Sequence, residues 1–186
     1  ELKGLAKFFE DEKRLSLLEE IIEHGSERVA AVARMLDELE PHEKALIFVE
    51  YTNHTMDFLK RELAKRGHDF VVVDQNVPTR TNGSGTSARM SLWNAAQYNP
   101  DVKGAISSPR ICGEGLDGQR YTHIIYYGLP TVPFRVTQGN SRAHRRLQRD
   151  VVSIHHLEAI DILTDALRRD VCKYKGSFSE RFYDGR

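Results

Sequence analysis

Five short stretches of this chain are apolar at almost every position, and charged segments with helical spacing separate most of them. Ala45–Val49, Phe70–Val73, Val102–Ile106, Thr122–Tyr127 and Val151–Ile154 read as strands; the first two are unbroken apolar runs, and these and the third, which carries Lys103, read as strands buried on both faces. Before them, Leu5, Phe8, Phe9, Leu15, Leu17, Leu18, Ile21 and Ile22 recur among charges up to His24 and predict one or two amphipathic helices. Ser26 opens a second helical pattern through Val29, Val32, Ala33, Leu36 and Leu39 that ends before Pro41. Further helices are expected from Thr55 to Arg66, closed by Gly67, from Ser87 to Gln97, and from Ala159 to Cys172. Apolar strand, amphipathic helix, apolar strand is the signature of parallel pairing with crossover connections. The expected fold is therefore α/β, with a mostly parallel sheet preceded by N-terminal helices.

The 186 residues are 40% hydrophobic and 29% charged, enough for one well-packed core and too few for two large ones. Three units are expected: a helical extension over 1–25, a main domain over 26–172, and a polar tail or junction over 173–186. The formal net charge is +0, so any contact with a polyanion has to come from a local patch. Cys112 and Cys172 have no zinc spacing and cannot make a disulfide framework, which fits a reducing intracellular setting, the nucleus of a eukaryote or otherwise the cytoplasm. No metal site is visible, and no apolar run is long enough to span a bilayer.

The densest chemistry lies between Gln138 and Arg149, where Arg142, Arg145, Arg146 and Arg149 follow one another with no acid until Asp150. Spacings of three and four predict that these arginines share one side of a helix. Gly139, Asn140 and Ser141 before them predict a turn and an N-cap, so that backbone N–H groups and guanidinium groups would converge on an anion. A solvated basic face is the alternative. Two loops add candidates. Gln75–Ser87 is polar and glycine-bearing, with Arg80 and Arg89 the residues to watch, and is either plain surface or a nucleic-acid contact. Ser107–Asp117 carries two glycines around Glu114, which permit close backbone approach to a ligand, and Asp117 can accept hydrogen bonds from a sugar hydroxyl or an arginine. No Gly-Lys-Ser/Thr phosphate loop occurs anywhere in the chain.

With these motifs in this order, the chain from about Ser26 to Val171 resembles the second RecA-like domain of superfamily 2 helicases and translocases, and within them the Swi/Snf type. Ala45–Tyr51 resembles motif IV, Asn82–Arg89 the glycine-serine loop before the next helix, Ser107–Asp117 motif V, and Gln138–Arg145 motif VI. Arg142–Gln148, R-A-H-R-R-L-Q, tilts the match toward the Swi/Snf enzymes. Ser141 stands where glycine is usual, and Arg146-Leu147 replace the usual Ile-Gly.

The resemblance implies a three-layer RecA-like αβα domain that forms one wall of an ATP site. The N-terminal RecA-like domain of the same parent protein would supply the other wall, with its phosphate-loop lysine and its Mg2+. Arg145 would be the arginine finger, Arg142 a second phosphate contact, and Gln138 the residue orienting them. Gly115 and Asp117 would contact the nucleotide. Thr52, Arg80, Arg89, Ser107 and Ser108 would follow nucleic-acid phosphates, on double-stranded DNA or alternatively RNA. A half-site of this kind is expected to be inactive alone. The competing readings are a RecA-like module that binds nucleic acid or protein without turnover, and an unrelated α/β enzyme using Cys112 or the Glu114 and Asp117 carboxylates.

Overall fold

A computed structural model describes residues 27–50, 55–79, 86–111, 116–128, 130, 132–145, 148–159 and 163–183. The expected extension over 1–25 lies outside them. Five strands, β1 (Lys44–Phe48), β2 (Phe70–Val73), β3 (Gly104–Ser107), β4 (Tyr121–Tyr126) and β5 (Ser153–His156), form one sheet in the order β2-β3-β1-β4-β5. Every pairing is parallel. The most apolar strand, β1, is central and buried at all its positions, because crossover helices cover both faces of a parallel sheet.

Alternate strand residues feed two cores. Ala45, Ile47, Val49, Ile106 and Ile125 face Val29, Val32 and Leu36 of α1 (27–37) and Met56, Leu59 and Leu63 of α2 (Thr55–Ala64). Leu46, Phe48, Ala105, Ile124 and Tyr126 face Trp93 and Ala96 of α3 (Ala88–Tyr98) and Ala143 of α4 (Pro133–Ala143). The result is the three-layer αβα arrangement. Ser87 caps α3 by accepting from the Met90 N–H at 3.2 Å, and Gly67, at φ 86°, turns the chain out of α2. Gly104 is where the sheet closes most tightly: a Cβ there would lie 1.8 Å from the carbonyl oxygen of Ala45 on β1.

One element differs from expectation. The closing helix α5 runs Leu163–Tyr183, through residues read as a polar tail. No proline interrupts that stretch, and its lysines, arginine and glutamate suit a helix as well as a loop. Asp165 on α5 also pairs with Arg28 on α1 and accepts from the Ala159 N–H at 3.0 Å, which fixes the start of the helix to the body of the domain.

Candidate functional site

The arginine run is not one helical face. Helix α4 ends at Ala143, so Gly139, Asn140, Ser141 and Arg142 form its last turns, and Arg145 lies beyond it in a tight turn. The expected N-cap and helix-start anion site are therefore not formed. Pro133 at the first turn starts the helix six residues earlier than the glycine suggested. Gly139 serves packing: a Cβ there would come within 2.5 Å of the Tyr126 hydroxyl and 2.8 Å of the Phe48 ring. The Tyr126 hydroxyl, with one proton to donate, lies 3.0 Å from the Val136 carbonyl oxygen and 2.9 Å from Asn140 Oδ1, so α4 is bolted to the sheet through the space glycine leaves. The negative end of the helix dipole then points toward Arg142 and Arg145, and positive charge in that last turn is favourable.

The connection between β3 and β4 brings a second motif to the same place. Ser107 ends β3 at the carboxyl edge of the sheet and Tyr121 begins β4 at the amino edge, so residues 108–120 must cross the full height of the domain. Ile111 and Leu116 are buried along the way. At the far end the Asp117 carbonyl accepts from Trp93 Nε1 at 2.6 Å and Gln97 Nε2 at 2.9 Å, and Gln97 Oε1 accepts from the Arg120 N–H at 3.4 Å. The Gly118 N–H then donates to the Arg142 carbonyl at 2.9 Å, and the Asp117 carboxylate pairs with Arg145 at 3.2 Å. Gln148 Nε2 donates to the Tyr121 carbonyl at 3.0 Å and closes the turn that holds Arg145.

Asp117, Arg142 and Arg145 thus converge from two separate stretches of sequence. The Asp117 and Arg145 side chains remain 54% and 38% exposed, so their attraction is worth no more than about 1 kcal/mol and leaves both ends available to a ligand. Arg142 is buried. Gln138 is half-buried on α4, and its carbonyl accepts from the Ser141 hydroxyl at 2.7 Å. Gly115 lies outside the described residues, as do Thr52, Arg80, Cys112 and Glu114.

Among the residues expected to follow a phosphate backbone, the described ones sit at the opposite, carboxyl edge. Ser107 is fully buried and its hydroxyl donates to the Val73 carbonyl at 2.7 Å. Ser108 is 2% exposed, with its hydroxyl oxygen 3.4 Å from the Ile111 N–H. Arg89 is buried too, donating to the carbonyls of Val77 at 3.0 Å and Gln75 at 3.4 Å. All three side chains are turned inward, where they tie strand ends and loops together, rather than outward as the expected phosphate contacts. Glu50, just after β1, pairs with Arg135 on α4 at this edge.

Sequence reasoning missed Gln97, Trp93 and Gly118 as organisers of the site. A glutamine and a tryptophan four apart on one helix signal one face, but nothing local shows which backbone they hold. His155 and His156 read from sequence as satisfied surface or partly buried histidines of the fifth strand, but sequence reasoning missed their neighbour on β4: His123 Nδ1 meets His155 Nε2 at 3.2 Å, and His123 Nε2 meets Glu43 Oε1 at 3.3 Å. Burial, with the neighbouring histidines, pushes the His155 pKa down, and burial does the same to His156, which stacks on Tyr126 at 4.8 Å. Burial pushes the Cys172 thiol up, away from thiolate reactivity. Among the described residues, no group of three or more His, Cys, Asp or Glu could hold a metal ion, and no helix is long and apolar enough to cross a membrane.

Residues 27–146 match the family of helicase conserved C-terminal domains. The chain is 33% identical over 90 residues to the mouse DNA annealing helicase and endonuclease ZRANB3 and 37% identical over 81 residues to the human protein, matches that cover 48% and 43% of this chain. It spans 8% of the length of those relatives. Its fold superposes on the C-terminal part of the Fun30 ATPase domain with TM-score 0.67 at 21% identity, covering 78% of this chain and 44% of that one. The E. coli DEAD-box protein SrmB, in its complex with the regulator RraA, gives TM-score 0.61 at 15% identity over 80% of this chain and 78% of that one.

Proposed function

The chain belongs to the family of helicase conserved C-terminal domains, as a superfamily 2 domain of Swi/Snf type, and on that premise we propose that Arg145 is the arginine finger of an ATP-driven DNA translocase. The observation that carries this reading is the convergence of Asp117, Gly118, Arg142 and Arg145 at the amino edge of the sheet. A half-exposed guanidinium on a turn held at both ends can reach a phosphate that arrives from outside the domain. Its task would be to balance charge that builds on the transferring phosphoryl group, where a preorganised cation lowers the barrier. Asp117, facing outward beside it, suits a ribose hydroxyl. Arg142, whose carbonyl holds Gly118, would keep the two motifs in register and add positive charge behind the finger.

ATP would lie between this domain and an N-terminal RecA-like domain carrying the phosphate-binding lysine and Mg2+. Among the described residues of this chain no donor set fits a metal, and the Mg2+ would be held by the N-terminal domain. The nucleic acid would run across the carboxyl edge, where the inward-turned Ser107, Ser108 and Arg89 tie strand ends and loops together, held largely by sequence-blind phosphate contacts. DNA is the substrate proposed, in keeping with the DNA annealing helicases that the sequence matches, within an intracellular setting. The isolated chain would not turn over ATP.

The test is DNA-stimulated ATP hydrolysis by the complete two-domain motor, with Arg145→Ala and Arg145→Lys beside it. Loss of stimulated turnover in both variants, with folding intact, is the expected result. Unchanged turnover in Arg145→Ala refutes the assignment and favours a binding module without catalysis.

A further inference from the structure

A second polar site lies at the amino edge of the sheet. Tyr98, Gln119, Arg120, Gln148, Arg149 and Asp150 line an open, mostly polar groove of about 420 Å³. Its walls are the segment entering β4 and the segment leading to β5, and both are fixed from behind. Gln97 takes the Arg120 N–H, Gln148 reaches the Tyr121 carbonyl, and the Asp150 N–H donates to Gln148 Oε1 at 3.1 Å. Gln119 and Gln148 are half-buried in the lining, while Tyr98, Arg120, Arg149 and Asp150 are exposed on segments whose backbone Gln97 and Gln148 fix.

We infer that this groove binds one nucleotide unit, from a free nucleotide or from a nucleic-acid strand. Arg120 and Arg149 have no carboxylate partner among the described residues, and together they offer two guanidinium forks, the donor geometry that suits phosphate. Arg120 lies over the Tyr98 ring at 5.6 Å, which holds it in place by a cation–π contact. Tyr98 is 61% exposed and gives a flat surface for a base. Asp150 makes the site unlike a bare anion trap: a carboxylate beside two guanidinium groups calls for a ligand that donates as well as accepts, as a sugar hydroxyl or base amine does. The inference rests on this groove alone and does not require Arg145 to be a finger.

Binding to the 186-residue chain tests it directly. Fluorescence anisotropy with a short labelled oligothymidylate, and calorimetry with AMP and with inorganic pyrophosphate, should be run on the native chain, Arg120→Ala/Arg149→Ala, Tyr98→Ala, Tyr98→Phe and, as a remote control, Arg61→Ala. The expected result is binding of AMP, the oligonucleotide or both, weakened about tenfold or more in the double variant, weakened in Tyr98→Ala, retained in Tyr98→Phe and unchanged in Arg61→Ala. Binding of AMP alone identifies a free nucleotide as the source. Tighter binding of the oligonucleotide, with a salt slope that falls by about 1.4 in the double variant, identifies a strand, since each single-strand phosphate neutralised contributes about 0.7. No binding of either, equal binding by the double variant, or pyrophosphate binding as tightly as AMP overturns the inference.

Discussion

Gly139→Ala sets two physical rules against each other. In an exposed helix interior, alanine is favoured over glycine by about 0.8–1.0 kcal/mol. Here the new methyl would stand 2.5 Å from the Tyr126 hydroxyl and 2.8 Å from the Phe48 ring, both closer than side-chain carbons approach such atoms. Neither ring can retreat cheaply: Tyr126 is 0% and Phe48 1% exposed, and their centroids lie 5.3 Å apart. Overpacking of a filled core costs about 1–3 kcal/mol, and displacing the Tyr126 hydroxyl from the Val136 carbonyl and Asn140 forfeits about 1 kcal/mol more. Propensity offsets roughly one of these terms, leaving a net loss of about 1–3 kcal/mol. Urea denaturation should show a lower midpoint with an unchanged slope. Tyr126→Phe removes the nearest obstacle, so the double variant should be less destabilised than the sum of the singles by about 1 kcal/mol or more, the coupling expected of residues in contact. Gly139→Ala as stable as the native chain, or additive with Tyr126→Phe, would refute the view that glycine is needed there for helix-to-sheet approach.

Gln97→Leu keeps the volume but removes the acceptor of the part-buried Arg120 N–H and leaves the Asp117 carbonyl with Trp93 alone, for a loss of about 1 kcal/mol; amide exchange at Arg120 should rise first, and a neutral effect on both readings would show that the glutamine holds nothing. Arg28→Ala removes the partner of Asp165, which is 5% exposed, so thermal melting should fall and exchange should quicken at the start of α5 before the rest of the domain; uniform exchange would contradict the tie. The pKa values of His155 and His156 are lowered on folding, so the unfolded chain takes up protons first. Their contribution to stability is complete above the ordinary value of 6.5 and is lost as pH falls from there through the lower folded values. Replacing both by Gln should flatten the denaturation midpoint between about pH 6.5 and 5; an unchanged profile would place the titration elsewhere.

The strands were legible because each is a short apolar run with polar ends. β2 was located to the residue, and the others shifted by one or two positions, as β3 did when its start moved from Val102 to Gly104. The parallel arrangement followed from helices between strands. The basic helix was misplaced because Gly139-Asn140-Ser141 looks like a boundary in sequence, whereas the cause of that glycine is the Tyr126 hydroxyl thirteen positions earlier and the Phe48 ring on β1. The inward turn of Ser107 and Arg89 was equally hidden, since their acceptors, the carbonyls of Val73 and Val77, come from another strand and its following loop. Motif order brought Asp117 and Arg145 under suspicion together. Only the fold shows that a loop crossing the whole sheet, pinned by Trp93 and Gln97, delivers one carboxylate to that guanidinium.

Single-turnover ATP hydrolysis by the complete two-domain motor on duplex DNA, with nucleotide affinity measured separately, tests the central claim most directly. A finger that acts only as charge develops predicts that Arg145→Ala slows the hydrolytic step by about 10³–10⁵ while nucleotide affinity changes only a few-fold. A rate constant within about tenfold of the native motor, or a loss confined to affinity, would contradict the claim and leave Arg145 as a binding contact.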